Sequence, residues 1–594
     1  MKNRFKKWMS IKRHQNARGL LLIAIVLFNV GLWFISSLLA FFIAPDQYGN
    51  IVRALWESGI TWMLEPGFYD PSVVPAIRII SIIVILISMI TFTGGIIGYV
   101  GNLFSSIIDN AKRGKSNLYI YDHILILNWN YKALELIADY RYDDETTSVV
   151  ILSSHDKEEI EDAITRKLYE SKDGLKKKLD IIVRNGEVFS KADLMAVCVE
   201  DAKSIIILSD ESSQHTEARK DMLAMKTLML VSNMDLKRDQ TILVEVKEQS
   251  SIKMIREYIA KNTKREHQIL PILPDELMGR LIAQTLLMPD LNKVYHELLS
   301  FEGAEFYTVK DQDALSFMQS HNKAIPIYNH QDYLYVLSDH QTSINSTRDT
   351  PLSSYQHIEI KDLSRYHQKH IVIFGNNQKL EYILDSIKLY ERENHTTIQT
   401  TLIESNDAQV IFETTNAIDK IDHILILSAD HLNPEDYDSD VLVTLLMTQE
   451  IAKKHQAEII IELLDPKHFD IAQSYNVKNT IISNEYISRL MTQLSKNRLL
   501  YDLFIDLLTY DEEDSKTETY EVYTYQAQDI LNTQFPLRFQ SRSELIYSIY
   551  MSGQQSYIVL GTIVNGKLDI YQGNLDETIP IIIQASDVLV MICK

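Results

Sequence analysis

Three aspartates at alternate positions have the residue type and spacing of cation ligands. Asp436, Asp438 and Asp440 lie in the segment "NPEDYDSDVL", just past a predicted strand. Carboxylate oxygens are the ligands that Ca²⁺ prefers, but Val441 and Met447 stand where an EF-hand loop needs glycine and glutamate. The three aspartates are therefore candidate calcium ligands outside an EF-hand. The alternative is the start of a helix whose acidic side chains are solvated.

A fourth acid, Glu65, lies in "TWMLEPGFYDP", between the only two long apolar runs of the chain. Pro66 and Gly67 follow it and force an irregular backbone. At membrane depth such a backbone is tolerated only where it is buried in protein or lines a water-filled cavity. Repeated by symmetry, Glu65 would form an acidic ring that attracts cations. The sequence thus predicts a pore filter at Glu65, Pro66, Gly67 and Phe68. The alternative is an external hairpin, and the absence of a TVGYG stretch gives no indication of potassium selectivity.

The segment before this loop, "QYGNIVRALWESGITWML", is predicted to form a short amphipathic pore helix. Leu55, Trp56, Ile60 and Met63 fall near one face at helical spacing. The predicted helix therefore has one apolar face.

The two apolar runs, Gly19–Ala44 and Ala76–Phe104, are each long enough for a transmembrane helix. A secretory signal has a shorter apolar region and no second span. Seven Lys and Arg residues precede the first run, and Lys112, Arg113 and Lys115 follow the second. The positive-inside rule then predicts a multi-pass protein of the cell membrane with both termini in the cytoplasm.

Four glycines lie in the second run, at positions 94, 95, 98 and 101. Small residues four apart let helices approach closely, so helix packing is one interpretation. The other is a gate hinge at Gly94, Gly95 and Gly98.

The composition limits the partners and the chemistry. The chain has 594 residues and a net charge of −21, which argues against nucleic acid because phosphate binding needs basic patches. Two cysteines cannot form a disulfide framework, which indicates a reducing compartment. The sequence shows no evident general base, nucleophile or metal-bound water, so we expect the protein not to be an enzyme.

After residue 122 the sequence contains one unit twice. Buried strands alternate with helices, which predicts doubly wound parallel sheets of the Rossmann type. "HILILNWN" parallels "HIVIFGNN", and "DELMGRLIAQTL" parallels "NEYISRLMTQL". Each copy ends in a β-rich tail. The predicted domains are a basic N-terminus (1–18), a transmembrane pore domain (19–110), a linker (111–122), a first Rossmann-like domain (123–300) with its C-terminal subdomain (301–367), and a second Rossmann-like domain (368–510) with its C-terminal subdomain (511–594).

A dinucleotide site would need glycines in the turn after the first strand of a copy. The first copy has Asn128, Trp129 and Asn130 there, and the indole would fill the place of a phosphate. The second copy has Gly375, with Glu404 where a ribose-binding acid would lie. Gly375 and Glu404 are therefore the candidate cofactor-binding residues.

The junction "GGIIGYVGNLFSSIIDNAKRGKSNLYIYDHILILNWNYKALELI" resembles the Castor/Pollux-like ion channel family. The resemblance lies in the glycine-rich inner helix, the linker Arg113, Gly114, Lys115, the turn residue Trp129 and the tandem cytoplasmic half. It implies an α-helical pore domain with two transmembrane helices and a pore helix, followed by tandem α/β Rossmann-like RCK (regulator of ion conductance) domains. It also implies Ca²⁺ as a gating ligand. Plant relatives have more spans and a "D-[SA]-G" filter element, and this departure leaves the permeant ion open.

The leading hypothesis is a homotetrameric cation channel, conducting potassium, calcium or both, that is gated by a cytoplasmic ring of RCK domains. The 113–115 linker would transmit the movement of the ring to the inner helices, and the partners would be membrane lipid and permeant cations. The alternatives are a membrane-anchored nucleotide or redox sensor and a regulatory subunit of a cation transporter, neither with a pore of its own.

Overall fold

The computed structural model describes residues 17–64, 74–95, 97–101, 104–105, 117–143, 145–170, 178–210, 216–237, 239–261, 268–288, 290–301, 303–361, 368–405, 407–428, 434–475, 477–510 and 520–594. The chain divides into two compact units, residues 1–116 and residues 117–594. Each unit is described by itself.

The first unit is helical. Its helices are α1 (Ala17–Ile43), α2 (Pro45–Tyr48), α3 (Ile51–Ala54), α4 (Thr61–Leu64) and α5 (Pro75–Ser88), with π-helices at Leu55–Ile60 and Met89–Thr93. By length and composition, Ile23–Ile43 can cross a membrane, and Pro75–Thr91 is a shorter apolar helix. The second predicted span, Ala76–Phe104, includes positions outside the described residues. The two-span prediction is therefore supported directly at its first span only.

Two side-chain hydrogen bonds join the helices of this unit. Trp33 Nε1 donates to the carbonyl oxygen of Leu55 (2.9 Å), which ties α1 to the π-helix. Thr91 Oγ1 donates to Asn29 Oδ1 (3.0 Å), which ties α1 to the second π-helix. Such bonds hold helices together where water is scarce.

The segment predicted as a pore helix is helical from Ile51 to Leu64. Ala54 and Trp62 are buried, whereas Trp56 is 69% exposed. The π-helix at Leu55–Ile60 adds residues to a turn, so side chains after it rotate away from the face that α-helical spacing would give.

The first copy forms a six-stranded parallel sheet in the order β3-β2-β1-β4-β5-β6. The strands are β1 (Ile124–Leu127), β2 (Ser148–Ser153), β3 (Asp180–Asn185), β4 (Ser204–Ile207), β5 (Thr241–Glu245) and β6 (Ile269–Ile272). The helices are α6 (Tyr131–Tyr140), α7 (Lys157–Glu170), α8 (Lys191–Ala196), α9 (Glu217–Ser232), α10 (Gln249–Lys261), α11 (Pro274–Leu287) and α12 (Leu291–Leu299). β1, β2, β4 and β5 are buried along their whole length, because helices cover both faces of the sheet.

The second copy forms a five-stranded parallel sheet in the order β12-β11-β13-β14-β15. The strands are β11 (Gln368–Phe374), β12 (Thr397–Ile403), β13 (His423–Ile426), β14 (Glu458–Leu463) and β15 (Asn479–Ile482). The helices are α14 (Lys379–Glu393), α15 (Ala408–Asn416), α16 (Pro434–His455), α17 (Phe469–Ser474), α18 (Ser483–Lys496) and α19 (Leu500–Leu507). The order matches that of the first sheet without a counterpart of β3.

Antiparallel sheets follow each copy, as the β-rich tails predicted. After the first copy come β7 (Glu305–Lys310), α13 (Ala314–Ser320), β8 (Ala324–His330) and β9 (Tyr333–Ser338), with strand order β7-β9-β8. β10 (Glu359–Ile360) precedes the second copy. After the second copy come β16 (Glu521–Gln526), α20 (Ala527–Ile530), β17 (Leu531–Asn532), β18 (Leu537–Phe539), α21 (Arg542–Ser552), β19 (Tyr557–Val564), β20 (Lys567–Ile570), β21 (Ile581–Ile583) and β22 (Val588–Cys593).

The two copies exchange helices. α11 of the first copy packs on α14 of the second, and α18 of the second copy packs on α6 of the first. At equivalent positions of the two crossing helices, Gly279 lies against Tyr382, and Ser488 Oγ donates to the carbonyl oxygen of Lys132 (3.0 Å). One hydrophobic core runs through both contacts, so the two copies fold as one unit.

Candidate functional site

The turn after the first strand of each copy has the same backbone shape. Asn128 has φ 82° and Gly375 has φ 83°, so both lie in the left-handed region. The amide N–H of Asn128 donates to Leu152 O (2.8 Å), and that of Gly375 donates to Ile403 O (3.1 Å). This correspondence makes positions 128–132 equivalent to 375–379.

An asparagine closes each turn. The side-chain oxygen of Asn130 accepts from the N–H of Lys132 (3.0 Å), and that of Asn377 accepts from the N–H of Lys379 (3.1 Å). The amide nitrogen of Asn130 donates to Ser209 O (3.0 Å), and its counterpart donates to Ser428 O (3.1 Å). Each asparagine thus closes the turn before a helix and fixes that turn to the end of the neighbouring strand.

A lysine follows in each copy and pairs with a buried glutamate at the end of a strand. Lys132 Nζ lies 3.2 Å from Glu245 Oε1, and Lys379 Nζ lies 3.3 Å from Glu462 Oε1. Both glutamates have no solvent exposure. Because an isolated buried charge is costly, removing one partner of either pair should destabilise its copy.

The second lysine also connects the two copies. Lys379 Nζ lies 3.4 Å from Asp275 Oδ1, at the start of α11. Burial alone would raise the pKa of Asp275, but the charges of Lys379, Lys247 and Lys132 outweigh it and lower the pKa. Asp275 is therefore ionised among three lysines that come from both copies.

Asp438, one of the three predicted calcium ligands, has protein partners at both carboxylate oxygens. Oδ1 accepts from the N–H of Leu464 (2.7 Å), and Oδ2 accepts from the N–H of Asp465 (3.0 Å) and lies 2.7 Å from His468 Nδ1. Burial raises the pKa of Asp438, and the hydrogen bond with His468 and those from the two amides oppose that rise. The carboxylate thus caps the end of β14.

The structure does not bring the three aspartates together. They lie on the first turns of α16, where Asp436 is exposed and Asp438 is fully buried. Asp440 Oδ2 accepts from Ser428 Oγ (2.6 Å). A helix turns about 100° per residue, so Asp436 and Asp440 share a face and Asp438 points away from it. Within the described residues, no cluster of three or more acidic, His or Cys side chains could hold a metal ion.

Gly375 and Glu404, the candidate cofactor residues, lie at the ends of the neighbouring strands β11 and β12. A Cβ on Gly375 would collide with the carbonyl oxygen of Leu427, so a glycine is needed there for the close approach of the neighbouring strand. Glu404 Oε1 accepts from the side chain of Asn376 (2.7 Å) and is exposed. Cofactor binding at this turn stays a prediction.

In the membrane unit, the predicted hinge glycines differ in their surroundings. A Cβ on Gly95 would lie 3.0 Å from Ile25 Cδ1, whereas a Cβ on Gly98 would meet no atom of the described residues within 4 Å outside its own helix backbone. Gly94 is exposed and lies in the helix just after the π-turn. The predicted filter residues Glu65, Pro66, Gly67 and Phe68 and the predicted linker residues Arg113, Gly114 and Lys115 lie outside the described residues.

The lysine–glutamate pairs were not predicted from the sequence, although a signal for them exists. Both copies have Asn-x-Lys directly after the first strand, at 130–132 and 377–379. Both also have a glutamate in an otherwise apolar strand, at Glu245 and Glu462. A charge inside a buried strand needs a partner, and the lysine at the same offset in each copy supplies it.

The second unit has the fold of a channel gating ring subunit. The family model described as the calcium-activated potassium channel slowpoke-like RCK domain matches residues 130–256. The solved human SLO3 gating ring superposes with a TM-score of 0.51 at 13% identity, covering 80% of this chain and 99% of that one. The Rossmann-like RCK expectation is thereby confirmed at the level of the fold.

Relatives along most of the chain are ion channels, and the resemblance to the Castor/Pollux-like family is confirmed. An Arabidopsis thaliana protein, "Probable ion channel POLLUX", is 22% identical over 620 residues, which cover 90% of this chain and 73% of the relative. The "Calcium-gated potassium channel TvoK" of Thermoplasma volcanium is 26% identical over 262 residues, which cover 43% of this chain and 65% of the relative. These relatives are ion channels rather than enzymes.

Proposed function

We propose that this chain is the subunit of a homotetrameric, ligand-gated cation channel whose gate is controlled by a cytoplasmic RCK ring. The observation that carries the proposal is the tandem RCK-type unit behind an apolar helix of spanning length, together with channel relatives that cover both parts. Four chains would contribute eight Rossmann-like domains to the ring.

The pore would be formed by α1, the helical segment Ile51–Leu64 and α5 with its continuation. The bonds from Trp33 to Leu55 and from Thr91 to Asn29 support a helix held between two spans. In this arrangement Glu65, Pro66, Gly67 and Phe68 shape the filter, and the carboxylate of Glu65 attracts cations. The external side is the 45–75 segment, both termini are cytoplasmic and the protein lies in the cell membrane.

We assign the gate to the ring acting through the 111–122 linker on the inner helices, with Arg113, Gly114 and Lys115 in the connection. A ligand moves such an equilibrium only by its different affinity for the two ring shapes. Calcium is the proposed gating ligand, supported by the relative named a calcium-gated potassium channel. The three predicted ligands Asp436, Asp438 and Asp440 do not converge on α16, so we assign calcium to the ring and not to these residues.

The domain division proposed from the sequence goes with this function. It places the pore domain at 19–110 and the paired Rossmann-like and β-rich domains at 123–300, 301–367, 368–510 and 511–594. The arrangement of strands and helices in the second unit supports these boundaries, since each parallel sheet is followed by antiparallel strands.

Ion flux through purified protein in liposomes tests the proposal. Potassium, sodium and calcium gradients are applied to the wild type, to Glu65→Gln, and to Asp46→Asn, a matched change at an exposed acid of the same connecting segment. We expect flux in the wild type, reduced or less selective flux in Glu65→Gln, and no change in Asp46→Asn. Equal flux in all three would exclude the filter at Glu65. The absence of flux under every gradient, with and without calcium, would exclude the pore.

A further inference from the structure

The second helix of the membrane unit changes from α-helical to π-helical geometry along its length. It runs through α5 and the π-turn Met89–Thr93, and it continues as an α-helix at 94–95 and 97–101. The N–H of Gly94 donates to the carbonyl oxygen of Met89, five residues earlier, which is the hydrogen bond of a π-helix. The turn between these two positions therefore holds one residue more than an α-helical turn does.

A side chain of α1 is hydrogen-bonded to this π-turn. Thr91 Oγ1 lies 3.0 Å from Asn29 Oδ1 and 2.7 Å from the carbonyl oxygen of Ile87, so its single proton can go to either acceptor. Asn29 Nδ2 donates to the carbonyl oxygen of Ile25 (2.8 Å), which turns Oδ1 toward Thr91. The π-turn thus has a hydrogen-bond partner on a neighbouring helix as well as in its own.

Asn29 is the only amide side chain of α1, and it is 2% exposed. A polar side chain in the hydrocarbon region of a membrane costs free energy, so an intramembrane polar residue indicates a functional role. The hydroxyl that faces this amide belongs to the π-turn of the second helix. The role of Asn29 is therefore to be sought at that turn.

A π-turn can convert to an α-turn, and this conversion moves the helix that follows it. The N–H of Gly94 would then donate to the carbonyl oxygen of Ile90 instead of Met89. These two hydrogen-bonding patterns are the α register and the π register of the second helix. On conversion, the residues after the turn would rotate by about 100° around the helix axis, so each would take the angular place of the residue after it.

Two successive glycines follow the π-turn, and the packing of the π register needs only one of them. A Cβ on Gly95 would lie 3.0 Å from Ile25 Cδ1 and 3.3 Å from Cγ2, so Gly95 lies directly against α1. Among the described residues outside its own helical turn, a Cβ on Gly94 would meet only the carbonyl oxygen of Met89, at an ordinary 3.8 Å. Conversion would bring Gly94 to the place of Gly95. Glycine at both positions thus allows α1 to pass closely in either register.

We propose that the second helix has both registers, and that Asn29 is a positioning residue that stabilises the π register through Thr91. Gly95 lies against Ile25 in the π register, and Gly94 lies against Ile25 in the α register. The assignment of the two registers to two states of the gate rests on the proposed channel function, whereas the change of register itself does not. In the proposed channel, α1 therefore acts on the same helix as the linker from the RCK ring.

Disulfide cross-linking of the full chain reports the register without ion flux. Ile25→Cys is combined with Gly95→Cys or with Gly94→Cys, and the linked peptides are quantified by mass spectrometry after oxidation. Cys198→Ser removes the half-exposed native thiol, and Cys593 is buried. We expect the 25–95 pair to link faster than the 25–94 pair, because a disulfide needs the two Cβ atoms close together.

Thr91→Val removes the donor to Asn29 at similar size. It should lower the ratio of the two cross-linking rates about threefold to fifteenfold, the range of an interhelical hydrogen bond in a membrane. Thr91→Ser keeps the hydroxyl and should leave the ratio near that of the wild type. Ser36→Ala is the control, because it removes a buried hydroxyl of α1 that donates to its own helix, at Trp33 O (3.0 Å). It should leave the ratio unaltered.

Alanine substitutions at the two neighbouring glycines should have opposite effects on the gate. Gly95→Ala presses on Ile25 in the π register, whereas Gly94→Ala presses on Ile25 only in the α register. Single-channel recording should show opposite shifts of the open probability, each about threefold or more, with Thr91→Val shifting it in the direction of Gly95→Ala. A bend at Gly98 without a change of register predicts no such opposite shifts.

The change of register is wrong if Thr91→Val leaves the ratio of cross-linking rates unaltered. Its role in gating is wrong if the ratio falls and the open probability stays at the wild-type value. A wild type that conducts no ions would contradict the channel proposal, and the cross-linking ratio would still decide the register. Thermal unfolding of each variant is measured alongside, and Asn29→Leu replaces Thr91→Val if the latter unfolds.

Discussion

Asp221 and Asp438 occupy equivalent positions in the two copies, and each accepts two backbone N–H groups at the end of a parallel strand. Both are buried, and burial raises the pKa of each while hydrogen bonds to the carboxylate oppose that rise. In the first copy, Arg219 and Leu223 stand where α16 has Asp436 and Asp440. Asp221 therefore caps its strand without acidic neighbours at these two positions, which shows that the equivalent Asp438 has a structural role.

Asp438→Ala should therefore destabilise the second copy whether or not calcium is present. It leaves the N–H groups of Leu464 and Asp465 unpaired, at a cost of about 2–4 kcal/mol. Hydrogen exchange of the peptide containing these amides, with calcium and with a chelator, measures the effect. Asp436→Asn, at an exposed position, serves as the control and should leave exchange unaltered. If Asp438→Ala exchanged faster than the wild type only when calcium is present, Asp438 would act through the bound ion.

Lys379 pairs with both Glu462 and Asp275, and we expect the free energy of unfolding to fall far more when Glu462 is substituted than when Asp275 is. Glu462→Gln leaves the buried Lys379 with Asp275 as its carboxylate partner, and we expect a loss of about 3–5 kcal/mol. Asp275→Asn keeps the Lys379–Glu462 pair, and the equivalent position of the second copy is already Asn484. Its loss should be about 1–2 kcal/mol.

Denaturant unfolding of the full chain in detergent compares these two variants with the wild type. Equal losses would mean that Asp275 carries as much of the network as Glu462 does. That result would contradict the expectation that Glu462 stabilises the fold more than Asp275 does.

The sequence was sufficient to find the repeat, because buried parallel strands are continuous apolar runs that recur in the second copy. The sequence could not predict that α11 and α18 each pack on the other copy. Periodicity identifies an apolar helix face, and it does not say which of two similar copies will cover that face.

The candidate sites show the same limit at the level of single residues. Alternate spacing suggested that three aspartates converge, which holds for an extended loop and fails on a helix. In the segment predicted as a pore helix, residues Leu55–Ile60 form a π-helix, which the residue types do not indicate.

Gly95 and Gly98 should respond differently to alanine. A Cβ on Gly95 would press on Ile25, which gives an overpacking cost of about 1 kcal/mol. Among the described residues, alanine at Gly98 meets no atom outside its own helix backbone, and it favours a straight helix by up to about 1 kcal/mol. If the second helix bends there to open, Gly98→Ala should reduce the open probability about fivefold while Gly95→Ala mainly lowers thermal stability. Single-channel recording and thermal unfolding of both variants distinguish a hinge role from a packing role. An unaltered open probability in Gly98→Ala would contradict a hinge at this glycine.

The stability of the second unit should fall on acidification through His123. Its side chain is fully buried, Nε2 lies 3.1 Å from the carbonyl oxygen of Val197, and burial lowers its pKa to about 4. The unfolded chain binds the proton near pH 6.5, whereas the folded chain does not. The stabilisation is therefore complete above about pH 6.5 and is lost as the pH falls toward 4, by up to about 3 kcal/mol.

His123→Gln keeps a donor for the carbonyl of Val197 and cannot take up a proton. The difference in unfolding temperature between pH 7 and pH 5 should therefore shrink in this variant. His357→Gln, at an exposed position, should leave that difference at the wild-type value. An unaltered pH dependence in His123→Gln would mean that another group takes up the proton, of which His423 is the first to substitute because burial lowers its pKa to about 4 as well.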